Sequence, residues 1–414
     1  MTDYSIFTES SRILHDVLLA DNSLDIPASF KEAAQRVKFV GGDEKPFILT
    51  PLKITESSAA LSALVATAAN VATAERYGIP CQDVEINTDV ATLFLESVML
   101  VKVGNQSLIE HAGMREELMK VDLHHMSSDI RRGATNVYRT RDGRWYHLHG
   151  SMNAVPTMKM MGVEDRKVTR EEAISIYTEK VARWDSEEIE KVANEQFRQA
   201  GVVCRTPDEF FASEHGKVMG QEPLWSKTAL PAPRKSWPSA SNPQDLKPLA
   251  GIRVLDCSRV IAGPAVSKIL ALFGADVLRV SWQGLPEYAG TMPDLQTGKR
   301  DVNLDLKSES GKKAFAELIR GADVFLDGYR PGALSKLGFD QESLRRLSPS
   351  LIYMRECCYG FKGPLSYRSG WQQISDCVVG VSYLQGQFLG LEEAVVPLFR
   401  KSIVESESSQ YSKI

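Results

Sequence analysis

The chain has 414 residues, of which 25% are charged and 43% hydrophobic, with a formal net charge of −4. That length allows two to three domains and a sizeable core, and the charge balance excludes a general electrostatic pull toward nucleic acid or an anionic membrane surface. The cysteines Cys81, Cys204, Cys257, Cys357, Cys358 and Cys377 show neither CxxC spacing nor disulfide-like density. With no legible secretory signal, they point to a reduced, cytoplasmic protein.

Residues 1–222 read as a helix-rich region. Lys53–Leu61 opens a long helix that ends near Glu75–Gly78. Thr55 is its expected N-cap, placing Glu56 in the first turn, where the helix dipole and free backbone N–H groups favour the ionised carboxylate. Ser57–Ala74 is uncharged but built largely of Ala, Ser, Thr and Asn, which reads as a close-packed buried helix rather than a membrane span. If Trp145–His149 is a strand, His147 and His149 share a face like a metal pair, but no third ligand is spaced nearby.

Six prolines between Glu222 and Ala250 mark residues 223–248 as an extended connector or surface strap. The following segment changes character. Ile252, Val254 and Leu255 predict a short strand, which Asp256–Cys257–Ser258 is polar enough to leave. Gly263–Pro264 then predicts a turn into an apolar helix, Ala265–Phe273, and Val277–Val280 a second strand. This β–turn–α–β unit lacks the spaced glycines of a dinucleotide fingerprint. Thr297–Lys307 follows and precedes a helix over Ser310–Arg320. Ala322–Gly338, Leu347–Tyr353 and Tyr359–Pro364 come next. Cys357–Cys358 are read as loop packing rather than thiol chemistry. The polar tail over 398–414 is expected to be disordered.

In this order, the motifs from about Leu249 to about Gly380 resemble the first half of the class III CoA-transferases (CaiB/BaiF type), the family of formyl-CoA transferase and α-methylacyl-CoA racemase. Glu75–Gly78, Asp83–Phe94, Asp142–Gly150, Ala200–Val202 and Thr206–Phe210 resemble that family's second half, so the halves stand in rearranged or duplicated order, similar to fungal members with an extra N-terminal half. The resemblance implies an α/β fold, with a Rossmann-like CoA-binding domain over 249–397 and a helical, small mixed domain over 1–222. It also implies a homodimer, with acyl-CoA and a carboxylic acid as substrates and no permanently bound cofactor.

Family members use a carboxylate as nucleophile toward the acyl-CoA thioester. Its usual place, some twenty residues after Gly380, holds Ser402, Ile403 and Val404, leaving Glu56 as the candidate. Glutamate is also simply a favourable first-turn residue. For CoA, the resemblance carries over the turn residues Val260, Ala262, Gly263 and Pro264, then Leu304 and Lys307, Tyr329 and Arg330, and Lys336 where an arginine often stands. Trp371–Gln372 replace the His-Asp pair of the racemases and disfavour that chemistry. The implied function is transfer of CoA from an acyl-CoA, acetyl-CoA among the candidates, to a carboxylic acid, in acyl-CoA or secondary-metabolite chemistry. The alternatives are an inactive acyl-CoA-binding or regulatory protein and a truncated form of a longer transferase. The final Ser-Lys-Ile is close to a peroxisomal signal, the alternative to a cytoplasmic location.

Overall fold

Five parallel strands form the main sheet: β1 (Arg253–Cys257), β2 (Asp276–Ser281), β3 (Lys299–Asn303), β4 (Val324–Asp327) and β5 (Ile352–Arg355). They lie in the order β3-β2-β1-β4-β5. Two crossover helices, α1 (Ala262–Leu272) and α2 (Glu309–Gly321), connect β1 to β2 and β3 to β4. The computed structural model describes residues 4–391 apart from 109, 234, 237 and 239–245, together with 395. Residues 398–414 lie outside the described residues.

Alternation along the strands explains why the sheet is covered on both sides. Val254, Val277 and Val324 cluster on one face with Leu270 and Ala271 of α1. Leu255, Cys257, Val280 and Phe325 meet Phe315 and Ile319 of α2 on the other. The central strands β1 and β4 are therefore buried almost throughout, while the edge strands β3 and β5 are not. Continuous burial of this kind is what a parallel sheet between two helical layers requires. Burying each side chain such as Phe315 or Phe325 contributes about 1.5–3 kcal/mol.

Compactness divides the chain into two units at other places than composition does. The first comprises residues up to Met114, Glu222–Leu285 and Gly290–Glu356; the second comprises Arg115–Gln221, Pro286–Ala289 and the chain from Cys357 onward. The main sheet belongs to the first unit, which also holds a helix over Ile54–Tyr77 and a parallel pair, Val37–Val40 with Val84–Asn87. That helix is long and apolar enough to cross a membrane by length and composition. Its Ala60, Ala63 and Leu64 pack on Leu14, Leu18 and Ala34, but Leu61 and Val65 are exposed. The expectation of a buried helix is thus corrected to one buried face, along which Glu56, Ala60, Ala63, Leu64, Thr67 and Val71 recur at helical spacing.

The described residues of the Pro-rich segment are tied to this first unit by side-chain contacts. The guanidinium of Arg76 donates to the carbonyls of Pro238 (2.6 Å), Pro248 (3.0 Å) and Ala250 (2.5 Å). Ser350 donates to Pro233 O at 2.8 Å, and Lys235 pairs with Asp323.

In the second unit, Asn136–Arg139, Trp145–Leu148 and Gly201–Val203 form an antiparallel sheet. The Thr206–Phe210 motif is a helix start, with Thr206 and Glu209 forming a reciprocal capping box around Pro207.

Candidate functional site

The carboxyl ends of β1 and β4 are neighbours in the sheet, and the strand order reverses between them. At such a reversal the crossover connections part to opposite faces and leave a crevice. Ser258 follows β1 and Gly328 follows β4. A Cβ on Gly263 would stand 2.4 Å from Ser258 Cβ, and one on Gly328 would stand 2.7 Å from the same atom. Glycine at both positions is therefore what lets the start of α1 close onto the two strand ends.

Two sequence expectations are corrected here. The helix begins at Ala262, three residues before the expected Ala265. Gly263 and Pro264 thus lie in its first turn, where proline's missing N–H would have had no partner in any case. Asp256 and Cys257 do not leave the strand but complete it, buried. Asp256 survives burial because it accepts from Ser258 Oγ, from Ser267 Oγ at 2.5 Å and from Lys299 Nζ at 3.2 Å. Lys299 Nζ donates in turn to Pro264 O at 2.8 Å. Burial pulls the Lys299 ammonium below its usual range, against the opposing pull of Asp256.

Val260 stands at φ +71°, and its carbonyl accepts from Thr291 Oγ1 at 3.1 Å. The first-turn N–H groups of Ala262 and Gly263 have no partner within the helix. Together with the positive end of an eleven-residue helix, they present a donor set suited to a phosphate or another anion.

The other expected CoA residues also follow strand ends. Tyr329 N–H donates to Asp327 Oδ1 at 3.0 Å, and its ring lies 5.3 Å below the guanidinium of Arg259. Asp327, also bonded by Tyr353 Oη at 2.8 Å, has its carboxyl pushed up by burial. Leu304 N–H donates to Ser281 O at 2.8 Å, and its side chain packs on the α2 core. Lys307 is exposed, with Nζ 5.8 Å from the Trp282 ring. Arg330 and Lys336 are exposed, Lys336 on the short turn Ser335–Leu337. The structure thus brings the Val260–Pro264 turn and Tyr329 together through the close approach at Ser258. It does not bring Lys307 or Lys336 into that cluster.

Glu56 is placed differently from expectation. The helix starts at Ile54, with Lys53 as a cap residue that supplies no side-chain bond, so Thr55 is not the N-cap. Glu56 is 1% exposed, and its Oε2 has no hydrogen-bond partner. Burial pushes its carboxyl above the ordinary value, opposed only weakly by its own backbone N–H. The helix start does not lower this carboxyl as expected, because desolvation works against it. Two residues on, Ser58 Oγ donates to Ala91 O at 2.6 Å, so this end of the helix packs on the helix Thr88–Leu95.

In the second unit, His147 and His149 do share a face, their rings 5.5 Å apart. His149 stacks in turn on Trp371, also at 5.5 Å. His149 Nδ1 accepts from Ser151 N–H at 2.8 Å. Among the described residues no three His, Cys, Asp or Glu side chains gather as a metal site. Cys357 and Cys358 are half-buried, their Sγ atoms directed at Ser366 O (3.9 Å) and Trp371 O (3.8 Å).

A parallel α/β sheet with a helix start and a glycine-lined crevice at its reversal is an arrangement in which open α/β sheets bind ligands at strand ends. Residues 249–396, about a third of the chain, match CoA-transferase family III. The acetyl-coenzyme A transferase nodX of Hypoxylon pulicicidum is 37% identical over 391 residues, 90% of this chain and 66% of its own length. An acyl-CoA transferase of Gibberella moniliformis is 31% identical over 364 residues, 84% of this chain and 63% of its own. The chain thus spans just under two thirds of the length of these relatives. Among solved structures, the hypothetical protein Rv3272 of Mycobacterium tuberculosis is 38% identical over 31% of this chain and 37% of that one, with a TM-score of 0.28.

Sequence reasoning missed Asp256, Ser267, Lys299 and Thr291. Only Asp256 carried a signal, as an acid at the carboxyl end of an otherwise apolar strand.

Proposed function

We propose that the protein binds a CoA thioester at the Val260–Pro264 turn and transfers CoA from an acyl-CoA to a carboxylic acid. The sheet is read as a Rossmann-like CoA-binding domain, its strand order being the doubly wound one. The observation that carries this reading is the turn itself. Two free N–H groups at a helix start, the strained Val260 and the Ser258 wedge lie inside the segment that matches the transferase family. The name of the 37% identical relative supports a short acyl donor such as acetyl-CoA.

Transfer without ATP needs a carboxylate nucleophile. Its oxygen attacks the thioester carbonyl and expels CoA thiolate, leaving a mixed anhydride. The thiolate then attacks the enzyme's acyl carbon, releasing the donor acid and forming an enzyme thioester. The acceptor carboxylate attacks that thioester and expels CoA thiolate again, giving a second anhydride. The thiolate finally attacks the acceptor's acyl carbon and regenerates the enzyme carboxylate. Glu56 is the candidate, and its burial supplies the exclusion of water that an anhydride requires. The same burial favours the protonated acid, which supports a second reading: an acyl-CoA-binding protein without turnover.

One experiment separates the two. Protein incubated with acetyl-CoA and hydroxylamine is digested and examined by mass spectrometry, alongside exchange of labelled CoA into acetyl-CoA. A hydroxamate at Glu56 together with exchange supports transfer through that residue. Exchange without modification of Glu56 removes its role. Calorimetric binding of CoA without exchange leaves the binding protein, and the absence of any binding heat overturns both readings.

A further inference from the structure

Lys299 starts an edge strand, where an ammonium ordinarily lies in water. Its side chain is nevertheless 1% exposed, and that of its partner Asp256 is 0% exposed. The two link four parts of the site. Asp256 on β1 takes Ser258 Oγ, the side chain wedged against Gly263 and Gly328, and Ser267 Oγ, one turn into α1. Lys299 on β3 takes Asp256 from one side and the carbonyl of Pro264, in the first turn of α1, from the other. Ser267 Oγ also reaches Pro264 O, at 3.2 Å. The turn is thus clamped from beneath by side chains that are themselves buried.

A buried ion pair is a poor source of stability, because apolar groups of the same volume usually do as well or better. What this pair supplies is placement: it fixes the Pro264 carbonyl, in the same peptide unit as the Ala265 N–H that bonds Ile261 O, and so holds the first turn on which the Ala262 and Gly263 N–H groups stand. We propose that Lys299 is a positioning residue for CoA, holding the Val260–Pro264 turn in its ligand-ready shape through the Pro264 carbonyl and Asp256. This rests on the CoA reading above.

The test titrates CoA calorimetrically into wild-type protein and into the doubly substituted Lys299→Met/Asp256→Asn protein, which leaves no unpaired buried charge. Thermal unfolding and amide exchange are read in parallel. The expected result is a melting temperature within a few degrees of wild type and a Kd for CoA raised tenfold or more. Faster exchange should be confined to residues 260–267. Lys299→Arg, which keeps the charge and a donor, should recover most of the affinity. Should the double variant not fold, Lys299→Gln takes its place, with affinity again down tenfold or more. Wild-type protein that binds CoA beside a folded variant of equal affinity overturns the positioning role and leaves the CoA reading intact. Wild-type protein that gives no heat with CoA overturns the CoA reading, and the inference falls with it.

Discussion

Val260 holds a backbone conformation that β-branched residues avoid, at a strain of roughly 1–3 kcal/mol. Its surroundings keep it there, since Thr291 grips its carbonyl and α1 begins two residues later. Val260→Gly removes the strain but adds about 0.5–1 kcal/mol of chain entropy to be lost on folding. Thermal melts should therefore show stability unchanged or slightly raised, while CoA affinity falls because the turn is no longer held in one shape. A variant that melts well below wild type would show that Val260 is not strained.

Glu56 makes the second residue-scale prediction. Its folded-state carboxyl is raised above 4.5 by burial, so the folded protein keeps a proton that the unfolded chain releases. Wild-type stability should then fall as pH rises from that value through the folded-state one, by up to about 1.4 kcal/mol for every pH unit that separates the two. Glu56→Gln carries no such dependence. Denaturation at a series of pH values from about 4 to about 8 should show the variant gaining on wild type toward neutrality. A constant difference across the series would mean that burial does not raise the Glu56 carboxyl.

Among the elements, the start of α1 is the most tightly specified. Gly263→Ala places a methyl group 2.4 Å from Ser258 Cβ and 2.8 Å from its Oγ, neither of which is the far end of a flexible chain. Overpacking of this kind costs about 1–3 kcal/mol. Chemical denaturation should register that loss, and adding Ser258→Gly should return much of it. No recovery would place the cost elsewhere than at the Ser258 contact.

The same region shows what a sequence reveals and what it hides. The strands around Val254 and Val277 and the helix after Ser308 are legible because apolar alternation and caps are local signals. The helix start is read three residues late because Gly-Pro is the usual mark of a turn, whereas a first turn tolerates proline. Asp256 is misread because its partner Lys299 lies 43 residues away, and no local pattern announces a buried pair. The Glu56 helix is read from Thr55 because a capping side chain is expected, but Lys53 begins it without one.

At the scale of the whole molecule, the described part of the Pro-rich segment is held by side chains far apart in the sequence, among them Arg76, Tyr77, Lys227, Arg345 and Ser350. Arg76 gives hydrogen bonds to two of its carbonyls, Pro238 and Pro248, and to Ala250 just beyond it, and it belongs to the Glu75–Gly78 motif that marks a helix end in the sequence. Arg76→Ala leaves those carbonyls without that fork, and Arg76→Lys cannot replace it with one ammonium. Limited proteolysis should cut both variants faster than wild type between residues 223 and 248, Arg76→Ala the more so. Equal rates would assign the strap's attachment to Lys235, Ser350 and Arg345 instead.

The chain passes from the first unit to the second near Met114, returns near Glu222, crosses again over Pro286–Ala289 and leaves near Cys357. Neither unit is therefore a continuous stretch of polypeptide. A ribosome emitting this chain releases the opening helices long before the sheet residues they accompany have been made. Those helices must wait, partly unsatisfied, for some 140 residues of synthesis (114 to 253), at five to twenty residues per second a delay on the order of ten seconds. Such a gap is long enough for a chaperone to act, and it leaves no single cleavage point that would release either unit whole.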